Sequence, residues 1–156
     1  MKSGFKLHFL SVGVMAMAVF AVTSQAQWAD SQNEIPAYNM KAPAKGDTLP
    51  PILSGMQLTG PSFQQRIQTH AYELAARIPK LLYQQPCYCR CDRSMKHNSL
   101  QSCFASSHGA QCSTCMQELF YTYKMNKLKK TPAEIRAGII HGDFKNISEK
   151  ESLEIN

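Results

Sequence analysis

All six cysteines of this chain lie between residues 87 and 115, and this cluster constrains the fold more than any other feature. They are arranged as Cys87-Tyr88-Cys89-Arg90-Cys91, then a single Cys103, then Cys112-Ser113-Thr114-Cys115. A cluster of this density indicates a disulfide framework, a metal site or a redox centre. The spacing of the cysteines bears on which of the three is favoured.

The Cys-x-Cys spacing disfavours disulfide bonds within the triplet of Cys87, Cys89 and Cys91. In an extended segment, residues two apart point to the same side and lie about 6.5–7 Å from each other. A disulfide needs Cβ atoms about 3.8 Å apart. Metal–sulfur bonds of about 2.3 Å place two ligand sulfurs about 4 Å apart, which a turned Cys-x-Cys can supply. The triplet therefore favours chelation.

The Cys112-x-x-Cys115 pair falls at the start of the clearest predicted helix, where unpaired amide groups and the helix dipole favour thiolate. Together with the triplet, it indicates one shared site. Thiolates select soft or borderline ions, so the expected ion is zinc or copper. His108 lies in polar loop sequence inside the cluster and is a candidate histidine ligand. The predicted metal ligands are Cys87, Cys89, Cys91, Cys112 and Cys115, with Cys103 and His97 as further candidates.

Two other functions stay open at this point. Cys112 and Cys115 could form the dithiol of an envelope thiol–disulfide oxidoreductase, acting on a thiol redox partner. Three disulfides could instead staple a small interaction domain, because a domain of roughly 90 ordered residues has little core of its own. The sequence shows no paired carboxylates, no Ser–His pair and no phosphate-binding glycine loop, so conventional hydrolase chemistry has no support.

The first 26 residues are typical of a secretory signal peptide. Lys2 and Lys6 precede an apolar run, and Ser24-Gln25-Ala26 offers small residues for cleavage near Ala26. The run is shorter than the roughly 20 residues of a membrane span, so we expect a periplasmic or secreted protein without a stable membrane anchor. Losing the two lysines lowers the net charge from +6 to +4. This modest charge and export both argue against a nucleic-acid partner.

The remaining sequence predicts one small, mainly α domain of about three helices with an irregular cysteine-rich loop. Residues 27–60 are Pro-rich and aperiodic, which predicts an extended leader whose stretch 49–58 lies against the core while 27–45 is mobile. The domain spans 61–145, and 146–156 forms a charged tail that frays. Helices are predicted from Pro61 with a Ser62–Gln65 capping box, over 111–130, and from Thr131-Pro132 to Gly142. His70 falls on the apolar face of the first helix.

The segment Pro86-Cys87-Tyr88-Cys89-Arg90-Cys91 resembles the signature of the PCYCGC-motif family, also called the CYCXC family, of exported bacterial proteins. The likeness extends to Leu49-Pro50, to the segment 71–76, to His97-Asn98-Ser99-Leu100-Gln101-Ser102-Cys103-Phe104, to His108-Gly109, to the Cys112-x-x-Cys115 pair and to Glu134-Ile135-Arg136. The selenocysteine of some relatives favours redox or soft-metal chemistry. Arg90 stands where the motif has glycine, and the lipid-anchor cysteine of many members is absent. The resemblance names a group of proteins without naming a reaction.

Overall fold

The structure is a computed structural model that describes residues 34–156. Within this range the chain forms helices and no strand, which confirms the mainly α fold class. Three short 3-10 helices cover Gly55–Gln57, Gly109–Gln111 and Asp143–Asn146. The α-helices are α1 (Arg66–Arg77), α2 (Pro79–Leu82), α3 (Cys91–Ser94), α4 (Leu100–Phe104), α5 (Ser113–Lys127), α6 (Pro132–His141) and α7 (Glu149–Glu154).

Helix α5 is the centre of the domain. Its residues 118–123 are all buried, so this stretch is enclosed on every side by other elements. Helices α1, α4 and α6 pack against it, as do the 3-10 helices that precede α5 and follow α6. The first turn of α5 carries the Cys112–Cys115 pair, which places this pair next to the core rather than on the outer surface.

Helix α1 begins later than predicted. The expected start at Pro61 is wrong, because the residues that follow Gly60 form a turn in which the Phe63 amide donates to the Gly60 carbonyl. The Ser62 hydroxyl does not cap a helix but accepts a hydrogen bond from the Gln111 side chain, at 2.7 Å. Gln65 is the N-cap instead, and its backbone amide donates to the Gln68 side chain at 2.8 Å.

The predicted capping of α6 is confirmed. The Thr131 hydroxyl accepts from the Glu134 amide at 3.3 Å, and the Thr131 amide donates to the Glu134 carboxylate at 2.8 Å. Pro132 occupies the first turn, and Gly142 ends the helix with a φ of 92°. His70 is half-buried on α1 as expected, where its ring stacks on Phe120.

The Pro-rich leader is only partly described, since the signal peptide and residues 27–33 lie outside the described range. Ile52, Leu53 and Leu58 pack against the core, in line with the expectation for 49–58. The described part of the leader also contacts the domain, whereas the mobility expected as far as residue 45 stays a prediction. The Ala37 amide donates to the Asp92 carboxylate at 3.1 Å, and the Arg136 guanidinium lies 4.7 Å from the centre of the Tyr38 ring.

The charged C-terminal segment is ordered rather than frayed. Ser148 caps α7 by accepting from the Glu151 amide at 3.2 Å, and Lys124 of α5 pairs with the Glu151 carboxylate at 2.6 Å. Ile147 and Ser152 are buried against the domain. Among residues 34–156, no helix combines the length and the apolar character that crossing a bilayer requires.

Candidate metal centre

A tight turn brings the first two cysteines of the triplet together. The Arg90 amide donates to the Cys87 carbonyl at 3.3 Å, and Arg90 itself has a left-handed backbone with a φ of 62°. The chain therefore reverses between Cys87 and Cys91, and α3 begins at Cys91. The sulfurs of Cys87 and Cys89 lie 3.4 Å apart as a result, much closer than an extended segment would allow.

Helices α4 and α5 bring the other three cysteines to the same place. Cys103 lies on α4, and its sulfur is 3.3 Å from that of Cys91. Cys115 lies in the first turn of α5, and its sulfur is 3.3 Å from Cys87 and 3.5 Å from Cys89. Cys112 is the N-cap of α5, with its sulfur accepting from the Cys115 amide at 3.5 Å. All six thiols are unbridged.

Two histidines complete the group of donors. His97 Nδ1 lies 3.5 Å from the Cys103 sulfur, and His108 Nε2 lies 3.5 Å from the Cys89 sulfur. The two rings meet edge to face with their centres 5.3 Å apart. The loop that carries His108 is held by Tyr72 of α1, whose hydroxyl accepts from the Ala110 amide and donates to the carbonyl at position 106.

The eight donors form three overlapping groups of four, and within each group the ligand atoms all lie within 4.8 Å of one another. This is the spacing that a single ion could bridge with bonds of 2.0–2.3 Å. Cys89, Cys91, Cys103 and His108 each belong to more than one group. The groups are Cys87, Cys89, Cys91 and Cys103; then Cys89, His108, Cys112 and Cys115; then Cys91, His97, Cys103 and His108.

Comparison with known proteins gives the same family as the motif at residues 86–91. A family model described as "protein of unknown function with PCYCGC motif" matches residues 14–150 of the chain. The chain belongs to this PCYCGC family. No curated protein and no solved structure matches it. The family assignment confirms the resemblance that the residues around Cys87 suggested, and it leaves the chemistry to be argued from the site.

In this PCYCGC protein the fifth motif position is Arg90, and the left-handed backbone there explains why glycine suits the motif. Only glycine adopts a positive φ without strain between Cβ and the backbone. The Arg90 guanidinium lies 5.4 Å from the centre of the Tyr88 ring, which keeps its charge beside the cysteine turn. The turn therefore forms in this PCYCGC protein in spite of the larger residue.

Contacts among the thiols shift their pKa values in opposite directions. Contacts with Cys115 and Cys87 lower the pKa of Cys103 to about 4, which favours its thiolate. Contacts with Cys103 and Cys115 raise the pKa of Cys87, which keeps its proton. For Cys112 the contact with Cys115 lowers the pKa, but the contact with Cys89 and burial outweigh it and the pKa rises. A metal ion binding here must displace the protons that remain.

Sequence reasoning missed one buried acid beside the cluster. Glu118 of α5 is fully buried, and its carboxyl accepts a hydrogen bond from the Tyr88 amide at 2.7 Å. Burial raises the pKa of Glu118 to about 8, partly offset by a hydrogen bond with the Cys87 thiol. The side chain thus fastens the centre of the cysteine turn to α5. The sequence could have indicated Glu118 only by its position, which is about one helical turn after Cys115 and on the same buried face of α5.

The structure brings together every residue that the sequence analysis named as a ligand. Four of the six thiols are buried, whereas Cys89 and Cys112 are half-buried. His97 is half-buried too, and so is His108, the second histidine of the cluster. The half-buried donors give an ion in solution a way to reach the buried ones.

Proposed function

We propose that this protein is an exported binder of a soft metal ion, zinc or copper, which it holds through its CxCxC triplet and its CxxC pair. The observation that carries the proposal is that single sulfurs contact several other donors at once. The Cys89 sulfur lies within 3.5 Å of the sulfurs of Cys87 and Cys115 and of the His108 imidazole. A disulfide joins a sulfur to one partner only, whereas a ligand sulfur meets all the other ligands of its ion.

The chemistry of the donors supports zinc or copper over harder ions. Thiolate sulfur and imidazole nitrogen suit Zn(II) and Cu(I), while Mg²⁺ and Ca²⁺ prefer oxygen. The cluster offers six sulfurs and two imidazoles within a few ångströms. The Glu118 carboxyl beside it is engaged by the Tyr88 amide. We therefore propose a sulfur-rich coordination sphere with histidine as the minor ligand.

Export is part of the proposal and rests on the N-terminal sequence. Lys2 and Lys6, the apolar run after them and the small residues up to Ala26 support cleavage by a signal peptidase and release into the periplasm or the medium. Outside the cytosol, thiols that are not held by a metal or a reductant become oxidised. A metal that occupies the thiols would keep this cluster reduced there.

A disulfide-stapled domain is the second candidate, and two distances favour it. The sulfurs of Cys87 and Cys115 and those of Cys91 and Cys103 each lie 3.3 Å apart, so small side-chain movements would allow two bridges. Such bridges would tie the turn at 87–91 to α4 and α5. They would also remove most of the sulfur donors of the proposed centre, so the two functions exclude each other in one molecule.

Measurements on one native sample distinguish the metal-binding function from the disulfide-stapled domain. The full chain, signal peptide included, is expressed without an affinity tag and recovered anaerobically from the export compartment, and its metal, free thiols and mass are measured. We expect at least one equivalent of zinc or copper, no disulfide, and a mass that shows cleavage near Ala26. Substoichiometric metal with three disulfides would overturn the metal proposal in favour of the second candidate. A retained signal peptide, residues 1–26, would overturn cleavage and release alone.

A further inference from the structure

Two of the four-donor groups in the cluster share a single residue. The first donor set is defined as Cys87, Cys89, Cys91 and Cys103, and the second donor set as Cys89, His108, Cys112 and Cys115. Each set could satisfy one tetrahedral ion by itself. Cys89 is the one member that they have in common, and its sulfur contacts Cys87 of the first set and Cys115 and His108 of the second.

A single tetrahedral ion would leave half of these donors unused. It takes four ligands, whereas eight donor atoms converge here, and the leftover thiols would include buried ones. Two ions that share one ligand would take seven of the eight donors and leave only His97 outside the two sets.

We propose that the cluster is a polynuclear centre that holds at least two soft d10 cations, with the Cys89 thiolate as the bridge between them. This inference rests on the proposed function and deepens it by giving the number of ions and their connection. A thiolate sulfur has enough lone pairs to bind two cations at once, which an imidazole nitrogen does not. His97, next to Cys103 at 3.5 Å, is a spare donor on the side of the first set.

Because Cys89 belongs to both sets, each Cys→Ser substitution should remove a predictable number of bound metal ions. Cys87→Ser removes a ligand from the first set only, and Cys112→Ser removes one from the second set only. Each of these variants keeps one complete set and should keep one tightly bound ion. Cys89→Ser removes a ligand from both sets, but it leaves the third group of Cys91, His97, Cys103 and His108 complete. The double variant Cys89→Ser/His97→Ala breaks all three groups and should lose tight binding of both ions. Cys112→Ser/His97→Ala is its matched control, because it keeps the first set complete and both exchanged thiols are half-buried.

The test is a titration of the reduced, metal-free protein under anaerobic conditions, with Zn(II) and Cu(I) in separate arms and Co(II) as a spectroscopic probe for zinc. We expect wild type to bind two or more equivalents in at least one of the Zn(II) and Cu(I) arms. The electron paramagnetic resonance signal of Co(II) should weaken as the second equivalent enters, because ions joined by a thiolate couple magnetically. Far-UV circular dichroism checks that each variant keeps its helices.

The outcomes separate this inference from the proposed function. One equivalent in wild type overturns the polynuclear centre and leaves the metal-binding function intact. No tight binding in any arm overturns both. Retention of one ion by Cys89→Ser/His97→Ala overturns the bridge. Should that variant unfold, X-ray absorption of wild type decides, since a bridged pair gives metal–metal scattering and two separate sites do not.

Discussion

At the scale of single residues, the turn between Cys87 and Cys91 depends on one backbone conformation. Arg90 has a φ of 62° and a ψ of 27°, a left-handed conformation that costs an L-residue other than glycine about 1–2 kcal/mol. The family's motif has glycine at this position, as its name records. The turn sets the sulfur of Cys89 against that of Cys87, so this strain is located where the cluster is assembled.

Substitution of Arg90 measures that strain directly. Arg90→Gly and Arg90→Ala both remove the guanidinium and its contact with the Tyr88 ring, but only glycine relaxes the backbone. We expect the Gly variant to be more stable than the Ala variant by about 1 kcal/mol in the free energy of unfolding, after the entropy of glycine in the unfolded chain is subtracted. Denaturant unfolding of the reduced, metal-free protein measures the difference.

The control for this comparison is Arg93, an exposed residue of α3 with helical backbone. There the order of the two variants should be reversed, with Ala more stable than Gly by about 1 kcal/mol, because glycine is the weaker helix former. If Ala is also preferred at position 90, the left-handed turn does not form in solution. The close pairing of Cys87 and Cys89 would then lose its structural basis.

At the scale of helices, α5 and α6 approach each other closely at a glycine. Gly138 of α6 is buried, and a Cβ atom added there would overlap the Tyr121 hydroxyl of α5 and lie 3.0 Å from the Asp143 carboxylate. Helix propensity alone would favour alanine at this position by about 1 kcal/mol. Overpacking of a close contact costs about 1–3 kcal/mol, so the two effects oppose each other and packing is the larger.

We therefore expect Gly138→Ala to lower the free energy of unfolding by up to about 2 kcal/mol, the surplus of overpacking over helix propensity. The test is repeated in a Tyr121→Phe background, which removes the oxygen that the new methyl group meets first. The loss should be smaller there, and thermal or denaturant unfolding of the four proteins gives the coupling between the sites. A stabilised Gly138→Ala protein would show that α5 and α6 are farther apart than described.

The sequence predicted correctly the helix ends that are set by capping residues close to them in the chain. Thr131, Pro132 and Glu134 mark the start of α6 and Gly142 marks its end, and the structure has these caps. The start of α1 was missed because the Ser62 hydroxyl bonds to Gln111, a partner 49 residues away that no local pattern reveals. The spacing of the cysteines indicated a shared site, but the burial of Glu118 beside Tyr88 depends on how α5 packs.

At the scale of the whole molecule, the cluster joins segments that are far apart in the sequence. The turn at 87–91, helix α4, the loop with His108 and the first turn of α5 all contribute donors. A domain of this size buries a smaller fraction of its surface than a large one and is correspondingly marginal. A ligand that binds only the folded state adds its binding free energy to stability. On this reasoning the proposed centre acts as the main crosslink of the fold.

The loss of that crosslink should be visible in thermal unfolding. At ion concentrations about 100 times the dissociation constant, binding adds about 2.7 kcal/mol, and each kcal/mol moves Tm by about 4–8 °C in a small domain. We expect removal of metal by a strong chelator to lower Tm by about 10 °C or more, and readdition of the same metal to restore it. For the zinc-loaded protein, a phosphine reductant that binds zinc weakly should leave Tm unchanged. Three disulfides would give the opposite result, with Tm falling in the reductant and unaffected by the chelator, because the staples would then be covalent.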